Sequence, residues 1–324
     1  MPAEPATAPA ALSLWNMWAA GAAHLSAFAS ARAALAALLA DRGVRRIWLP
    51  AYVCTALAEG AAEVETRLYP IGRDLRPDLA ALATARPGDA VVAVSYFGRA
   101  PGPDLRGLAR QRPDLLWIDD RAQALAPEAG RWAEVTLYSP RKLVGVGDGG
   151  LLVSDHPLPA PKAPPPAGTW APERARALDP DGLNPDAWYP LFQAREAAVS
   201  AGSLAVSAAT VAALKAIDPT PIMQRRKANW RVLARHVANL ALITAPQPAF
   251  TPVSYPITVR DPAALVRLLA DQGIYCPRHW SDLPVGAQGD AVWLSEHQVS
   301  LPLDQRYDEG DMIRIADAVL AQAR

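Results

Sequence analysis

Between residues 30 and 155 the apolar pattern switches repeatedly between helical and strand-like spacing, and that alternation restricts the possible folds more than any other feature. An Ala/Leu-rich helix starts at Ser30, a good N-cap, and stops near Gly43. Arg46-Ile47-Trp48-Leu49-Pro50 follows as a short strand, then a helix over residues 54–61 and a strand over 64–69. Residues 78–85 and 104–111 have helical spacing; residues 90–96 and 115–119 are apolar strands of the kind buried on both faces of a parallel sheet. Residues 134–139 and 151–154 add two short strands. Strands separated by helices predict a layered α/β domain with a mostly parallel sheet, which binds ligands beyond the carboxyl ends of its strands.

The rest of the chain is patterned differently. Pro157, Pro159, Pro161, Pro164, Pro165 and Pro166 make residues 156–190 a loop or surface excursion. Helical pattern returns over 189–216 and 223–240, on either side of Pro219 and Pro221. Strands at 253–259, 274–277 and 299–303, with helices at 262–272 and 308–322, predict a small α+β domain. Residues 10–40 are rich in Ala, Leu and Trp and are expected to form two buried or interface helices. Asn16, His24, Ser26, Ser30 and Arg32 interrupt that stretch, and Met1 to Pro9 has no basic residue, so neither a membrane span nor a signal peptide is expected. The expected division is an N-terminal helical arm (1–28), a large α/β domain (29–218) and a small α+β domain (219–324).

A formal net charge of zero argues against nucleic acid or an anionic membrane as partner. Two cysteines, Cys54 and Cys276, make neither a disulfide framework nor a zinc site and fit a cytoplasmic protein. His24, His156, His236 and His297 lack metal-ligand spacing, so no metal is expected. Of the 32 basic residues only Lys142, Lys162, Lys215 and Lys227 are lysines; a lysine kept where arginine is the usual cation suggests a need for an amine.

Chemistry concentrates in two segments. Tyr138-Ser139-Pro140-Arg141-Lys142-Leu143-Val144-Gly145-Val146-Gly147-Asp148-Gly149-Gly150 runs into a strand. A plain Gly-rich turn fits it. A nucleotide loop does not, because such loops open a helix and their lysine follows the glycines. A Schiff-base lysine also fits: a desolvated amine near cations is kept unprotonated, Ser139 is placed to bind a cofactor phosphate, and Arg141 is either a surface charge or a depressor of the amine's pKa. The second segment, Trp117-Ile118-Asp119-Asp120-Arg121-Ala122-Gln123-Ala124, puts two acids at a strand end. They cap a helix, or one of them holds the ring nitrogen of pyridoxal phosphate (PLP) protonated.

In order and spacing these segments resemble the DegT/DnrJ/StrS-type aminotransferases, whose pattern is an acid pair with a nearby Gln or His, then a lysine, then Gly-Glu/Asp-Gly-Gly. The counterparts here are Asp119-Asp120-Arg121-Ala122-Gln123, Lys142 and Gly147-Asp148-Gly149-Gly150. Ser30-Ala31-Arg32-Ala33-Ala34-Leu35 is similar to the family's Ser-Gly-Thr-Ala-Ala-Leu phosphate-binding helix start. Leu49-Pro50-Ala51-Tyr52-Val53-Cys54-Thr55 is similar to its Val-Pro-Ser-Phe-Thr-Phe segment. Further matches are Arg225-Arg226-Lys227-Ala228-Asn229-Trp230, Gly273-Ile274, Arg278-His279-Trp280 and Val299-Ser300-Leu301-Pro302-Leu303.

The resemblance implies the PLP-dependent transferase fold type I: a large domain with a seven-stranded, mostly parallel sheet between helices, and a small C-terminal α+β domain. It implies Lys142 as the Schiff-base lysine and proton carrier, Asp120 on the pyridine nitrogen, and Gln123 against the ring near its hydroxyl. Ser139 with Ser30, Ala31 and Arg32 would bind the phosphate. Cys54 occupies the family's ring-stacking position, which leaves Tyr52 or Tyr96 as the stacking group. His279, Trp280 and Asn184 are candidate substrate contacts. The implied activity is amino transfer from an amino-acid donor, Glu or Gln, to a keto-substrate, a nucleotide-linked keto-sugar, in a homodimer with shared sites. A PLP-dependent dehydratase or lyase is the nearest alternative, and a non-catalytic binding or regulatory protein of this fold is another. The sequence departs from the family at Leu137, where the family has a phosphate-binding Ser.

Overall fold

The computed structural model describes residues 12–179 and 183–322. Its elements begin with α1 (Leu14–Ala19), β1 (His24–Phe28), α2 (Ala31–Asp41), β2 (Arg46–Pro50), α3 (Thr55–Gly60), β3 (Glu65–Tyr69) and α4 (Leu79–Leu82). They continue through β4 (Ala90–Val94), α5 (Pro103–Gln111), β5 (Leu116–Asp120), β6 (Val135–Tyr138) and β7 (Gly150–Ser154). These strands form one seven-stranded sheet in the order β1-β7-β6-β5-β4-β2-β3. Strands β2 to β6 pair in parallel, and β7 runs antiparallel to both β6 and β1. Every residue of β4 is buried, as the apolar run predicts for a central strand covered on both faces.

Beyond the sheet come α6 (Ala171–Ala177), α7 (Tyr189–Ala198), α8 (Ala208–Ala216), α9 (Pro219–His236), β8 (Ser254–Thr258), α10 (Pro262–Asp271), α11 (Asp290–His297), β9 (Gln298–Pro302) and α12 (Glu309–Gln322). Strands β8 and β9 pair antiparallel, and with their helices they make the smaller α+β unit. No helix among the described residues is long and apolar enough to cross a membrane.

Local physics accounts for the helix starts at the sheet. Ser30 caps α2, its hydroxyl accepting the Ala33 N–H at 3.0 Å. The buried face of α2 is Ala33, Ala34, Leu35, Leu38 and Leu39, small enough to let the helix lie close to the sheet. Asp78 and Asp261 cap α4 and α10 in the same way.

Four expectations are corrected. The segment expected to be helical up to residue 28 contains β1, whose backbone ladder with β7 overrides the helix propensity of an alanine-rich stretch; residues 1–11 lie outside the described residues. Helix α9 begins at Pro219, with Asp218 as cap, because prolines are tolerated in a first turn whose N–H groups have no intrahelical partner. The helical pattern over 189–216 is split by an extended stretch into α7 and α8. Residues 274–277 are not a strand, and residues 290–297, given no element from the sequence, form α11.

Candidate active site

The carboxyl ends of β5 and β6 and the start of α2 converge on one cleft, lined by Ser30, Ala31, Arg32, Cys54, Asp120, Ser139, Arg141 and Lys142, with Leu137 and Val199 among its walls. Residues from five separate sequence segments thus meet in one place.

Glycine brings the first two together. A Cβ on Gly150 would lie 2.1–2.3 Å from the Ser30 carbonyl group and the Ala31 nitrogen, so only glycine lets β7 press directly on the first turn of α2. Gly149, at φ +124°, makes the turn into the strand. The Asp148 carboxylate accepts the Ser207 N–H at 2.8 Å and the Ser207 hydroxyl at 2.9 Å, and also bonds the Thr210 hydroxyl. The acid of the Gly-Asp-Gly-Gly motif therefore anchors the start of α8 and does not face the cleft.

Lys142 closes a short turn after Ser139, its N–H donating to the Ser139 carbonyl at 3.1 Å. From the other side, Arg226 of α9 donates to the Leu143 carbonyl at 2.6 Å and to Gln305 at 3.0 Å. The lysine turn is thereby tied to the smaller unit. Lys142 itself is exposed. The desolvation expected of it is not met among the described residues.

The two acids have separate fates. Asp119 is fully buried and bonds the Ser95 hydroxyl at 2.9 Å and Arg121 Nε at 2.7 Å. Arg121 in turn donates to the Gly130 carbonyl at 2.7 Å. Asp119 is therefore neutralised in the core, and Asp120 is the carboxylate that reaches the cleft. Asp120 caps no helix; its Oδ1 accepts the Ala122 N–H at 2.8 Å in a turn. Burial pushes its carboxyl up to about 6, helped by Asp119 and opposed by the Ala122 N–H and the charge of Lys142.

This shift has a sign that can be measured. The folded value lies above the ordinary 3.8, so the carboxyl's contribution to stability is fully present below about pH 4 and is lost as pH rises through about 6. In cofactor-free protein, Asp120→Asn is expected to raise stability at pH 7.5 by up to about 3 kcal/mol and to leave it nearly unchanged at pH 4. Urea unfolding at the two pH values checks this; an equal effect at both would refute the assignment.

Arg32 and Arg141 make the mouth of the cleft cationic. Arg32 bonds Glu59 and the Val199 carbonyl, each at 2.7 Å, while its Nε is buried without a partner. Arg141 pairs with Glu196 of α7, and burial, with repulsion from Arg195 and Arg32, pulls its guanidinium down to about 10. The space between these groups is about 50 Å³, room for a few water molecules.

The other expected site residues sit elsewhere. Tyr52 and Tyr96 are buried, with rings 5.8 Å apart, in a cluster with Trp280 and Phe97. The Tyr52 hydroxyl bonds the His279 carbonyl, and the Tyr96 hydroxyl donates to the Tyr52 carbonyl at 2.6 Å. This cluster seals the junction with the smaller unit, and of the three candidates for ring contact only Cys54 lines the cleft. Gln123 is buried and accepts the Phe97 N–H at 3.4 Å. His279 faces Ser300 Oγ at 2.7 Å, and burial together with the Lys142 charge pushes its imidazole down to about 4, so the ring is neutral at pH 7. The Asn184 N–H donates to Asp179 at 3.0 Å within the excursion, away from the cleft lining. Arg141, left open by the sequence, is a cleft residue, and the Val199 wall was not anticipated: a backbone contact leaves no residue-type signal.

No protein-family model matches the chain, and no curated protein matches it in sequence. Solved structures do. A DegT/DnrJ/EryC1/StrS aminotransferase from Brucella abortus is 17% identical, with a TM-score of 0.64 over 95% of this chain and 87% of its own. DesV of S. venezuelae, solved in complex with a ketimine intermediate, is 20% identical, with a TM-score of 0.70 over 96% and 88%. DesI, solved in the presence of its TDP-sugar product, is 20% identical, with a TM-score of 0.68 over 93% and 81%. The chain has the fold of these aminotransferases: a mixed α/β fold of the fold type I kind, as the motif order implied.

Proposed function

We propose that this chain is a PLP-dependent aminotransferase acting on a keto-sugar carried on a nucleotide. The observation that carries the reading is the convergence of Lys142, Asp120, Ser139 and the first turn of α2 on one cleft, in a fold shared with aminotransferases.

The donor set fits the cofactor. An amine, a buried carboxylate, a hydroxyl, a helix start and an unpartnered buried arginine nitrogen match its aldehyde, ring nitrogen and phosphate. When bound, PLP supplies an electron sink for reactions at an amine-bearing carbon.

The chain's own residues do the rest. The Lys142 amine would hold the cofactor covalently and would carry a proton to and from the reacting carbon. Asp120 holds a proton on the ring nitrogen; a cation beside it restores the ionised carboxylate that burial disfavours. Ser139 and the backbone at Ser30, Ala31 and Arg32 bind the phosphate, with the positive end of the α2 dipole behind them. His279, neutral at pH 7, and Trp280 border the substrate side.

The reading includes Glu or Gln as donor and a homodimer. Two observations support the dimer. Lys142 is open to solvent in a single chain, and Leu178, Leu183, Tyr189 and Leu191 expose apolar surface in the excursion and on α7.

A half-reaction tests the function. Protein loaded with PLP is mixed with L-glutamate or L-glutamine, and the cofactor's absorption is followed. Conversion to the amine form, then return on adding a nucleotide-linked keto-sugar, is the expected result. Failure to convert with any amino-acid donor would leave a binding or regulatory role; elimination from a sugar without amino transfer would favour the dehydratase reading.

A further inference from the structure

A second cavity, about 210 Å³ in volume, shares no lining residue with the lysine cleft. The loop between β3 and α4 supplies Leu75 and Arg76, the turn after β4 supplies Arg99, and the first turns of α5 supply Arg106. Its floor is apolar and aromatic, formed by Tyr69, Ile71 and Tyr96.

The charge in this cavity is one-sided. Three arginines line it, against the single acidic residue Glu128, whose carboxylate accepts the Ala100 N–H at 3.1 Å. Arg106 has a buried Nε with no partner, an arrangement that leaves a donor's desolvation cost uncompensated. Arg99 is drawn inward, spends one N–H on the Asp74 carbonyl at 3.0 Å, and has its guanidinium shifted down chiefly by burial. Arg76 is exposed at the rim and pairs with Asp74. Gly102 gives α5 no side-chain cap, so the positive end of a nine-residue helix also points to this region.

We propose that this cavity is an anion site for a compact phosphate-bearing molecule with an aromatic or apolar body. Forked guanidinium donors and a helix start suit a phosphate dianion, and the tyrosine floor suits a ring. The site is separate from the lysine cleft and does not depend on its chemistry.

Phenyl phosphate is the probe. Its binding is measured by calorimetry on the full chain, loaded with PLP and freed of excess. Saturable binding is expected, weakened about tenfold or more by Arg106→Gln through loss of charge-assisted hydrogen bonds. The exposed Arg76→Gln, which carries little folding risk, is expected to weaken it a few-fold. Arg141→Gln, in the lysine cleft, is expected to leave it unchanged. No saturable binding, or binding that follows Arg141 and ignores Arg106 and Arg76, would overturn the site.

Discussion

Lys142→Ala is expected to remove the visible absorption that PLP gains on covalent attachment to the protein, and with it amino transfer. The amine is the one lysine nitrogen in the cleft formed by β5, β6 and the start of α2. Its turn is braced by the Ser139 carbonyl within the segment and by Arg226 from α9. The side chain is exposed and carries no core packing, so the substitution is expected to leave stability nearly unchanged. Loss of proton transfer alone would slow turnover about 10²–10⁴-fold, and loss of covalent attachment adds to that. The check is a spectrum of wild type and variant with PLP, beside thermal unfolding of both. A variant that keeps the band, or keeps turnover within a few-fold, would sink the central claim.

The second large effect concerns the acid pair. Asp120→Asn is expected to slow the donor half-reaction about 10²-fold or more, because an amide cannot hold a charged ring nitrogen in a buried site. Asp119→Asn acts differently. It leaves Arg121, 4% exposed, without its charge partner, which costs about 3–5 kcal/mol of stability. The half-reaction rate per folded molecule should change little. Measuring rate and unfolding for both variants separates the roles. A rate loss confined to Asp119→Asn would reverse the assignment.

The arrangement of the candidate site was legible in sequence wherever it rested on short motifs. The apolar run at 90–94, the Ser30 cap and the Gly-rich turn before residue 151 each follow from local pattern. Their order along the chain pointed to the fold before any geometry was known. What escaped were features set by partners distant in sequence. Residues 24–28 have the composition of a helix and become a strand because β7 offers a ladder. Tyr52 and Tyr96 have the right residue type for a ring contact, yet their rings pack on Trp280, far away in sequence.

By itself the sequence determined the α/β class, the helix starts that carry the cleft, and the chemical types available to it: one amine, two acids, a hydroxyl and a flexible glycine turn. The motif resemblance pointed to Asp120, and the tertiary structure supplied the physical reason that this acid is the free one. Asp119 and Asp120 are adjacent and of the same residue type, and successive residues of a strand point to opposite faces. One meets Arg121 and Ser95 in the core. The other meets the cleft, with burial raising its pKa. That choice depends on which face of β5 each residue occupies and on what other strands and loops place there, so it exists only once the sheet has formed.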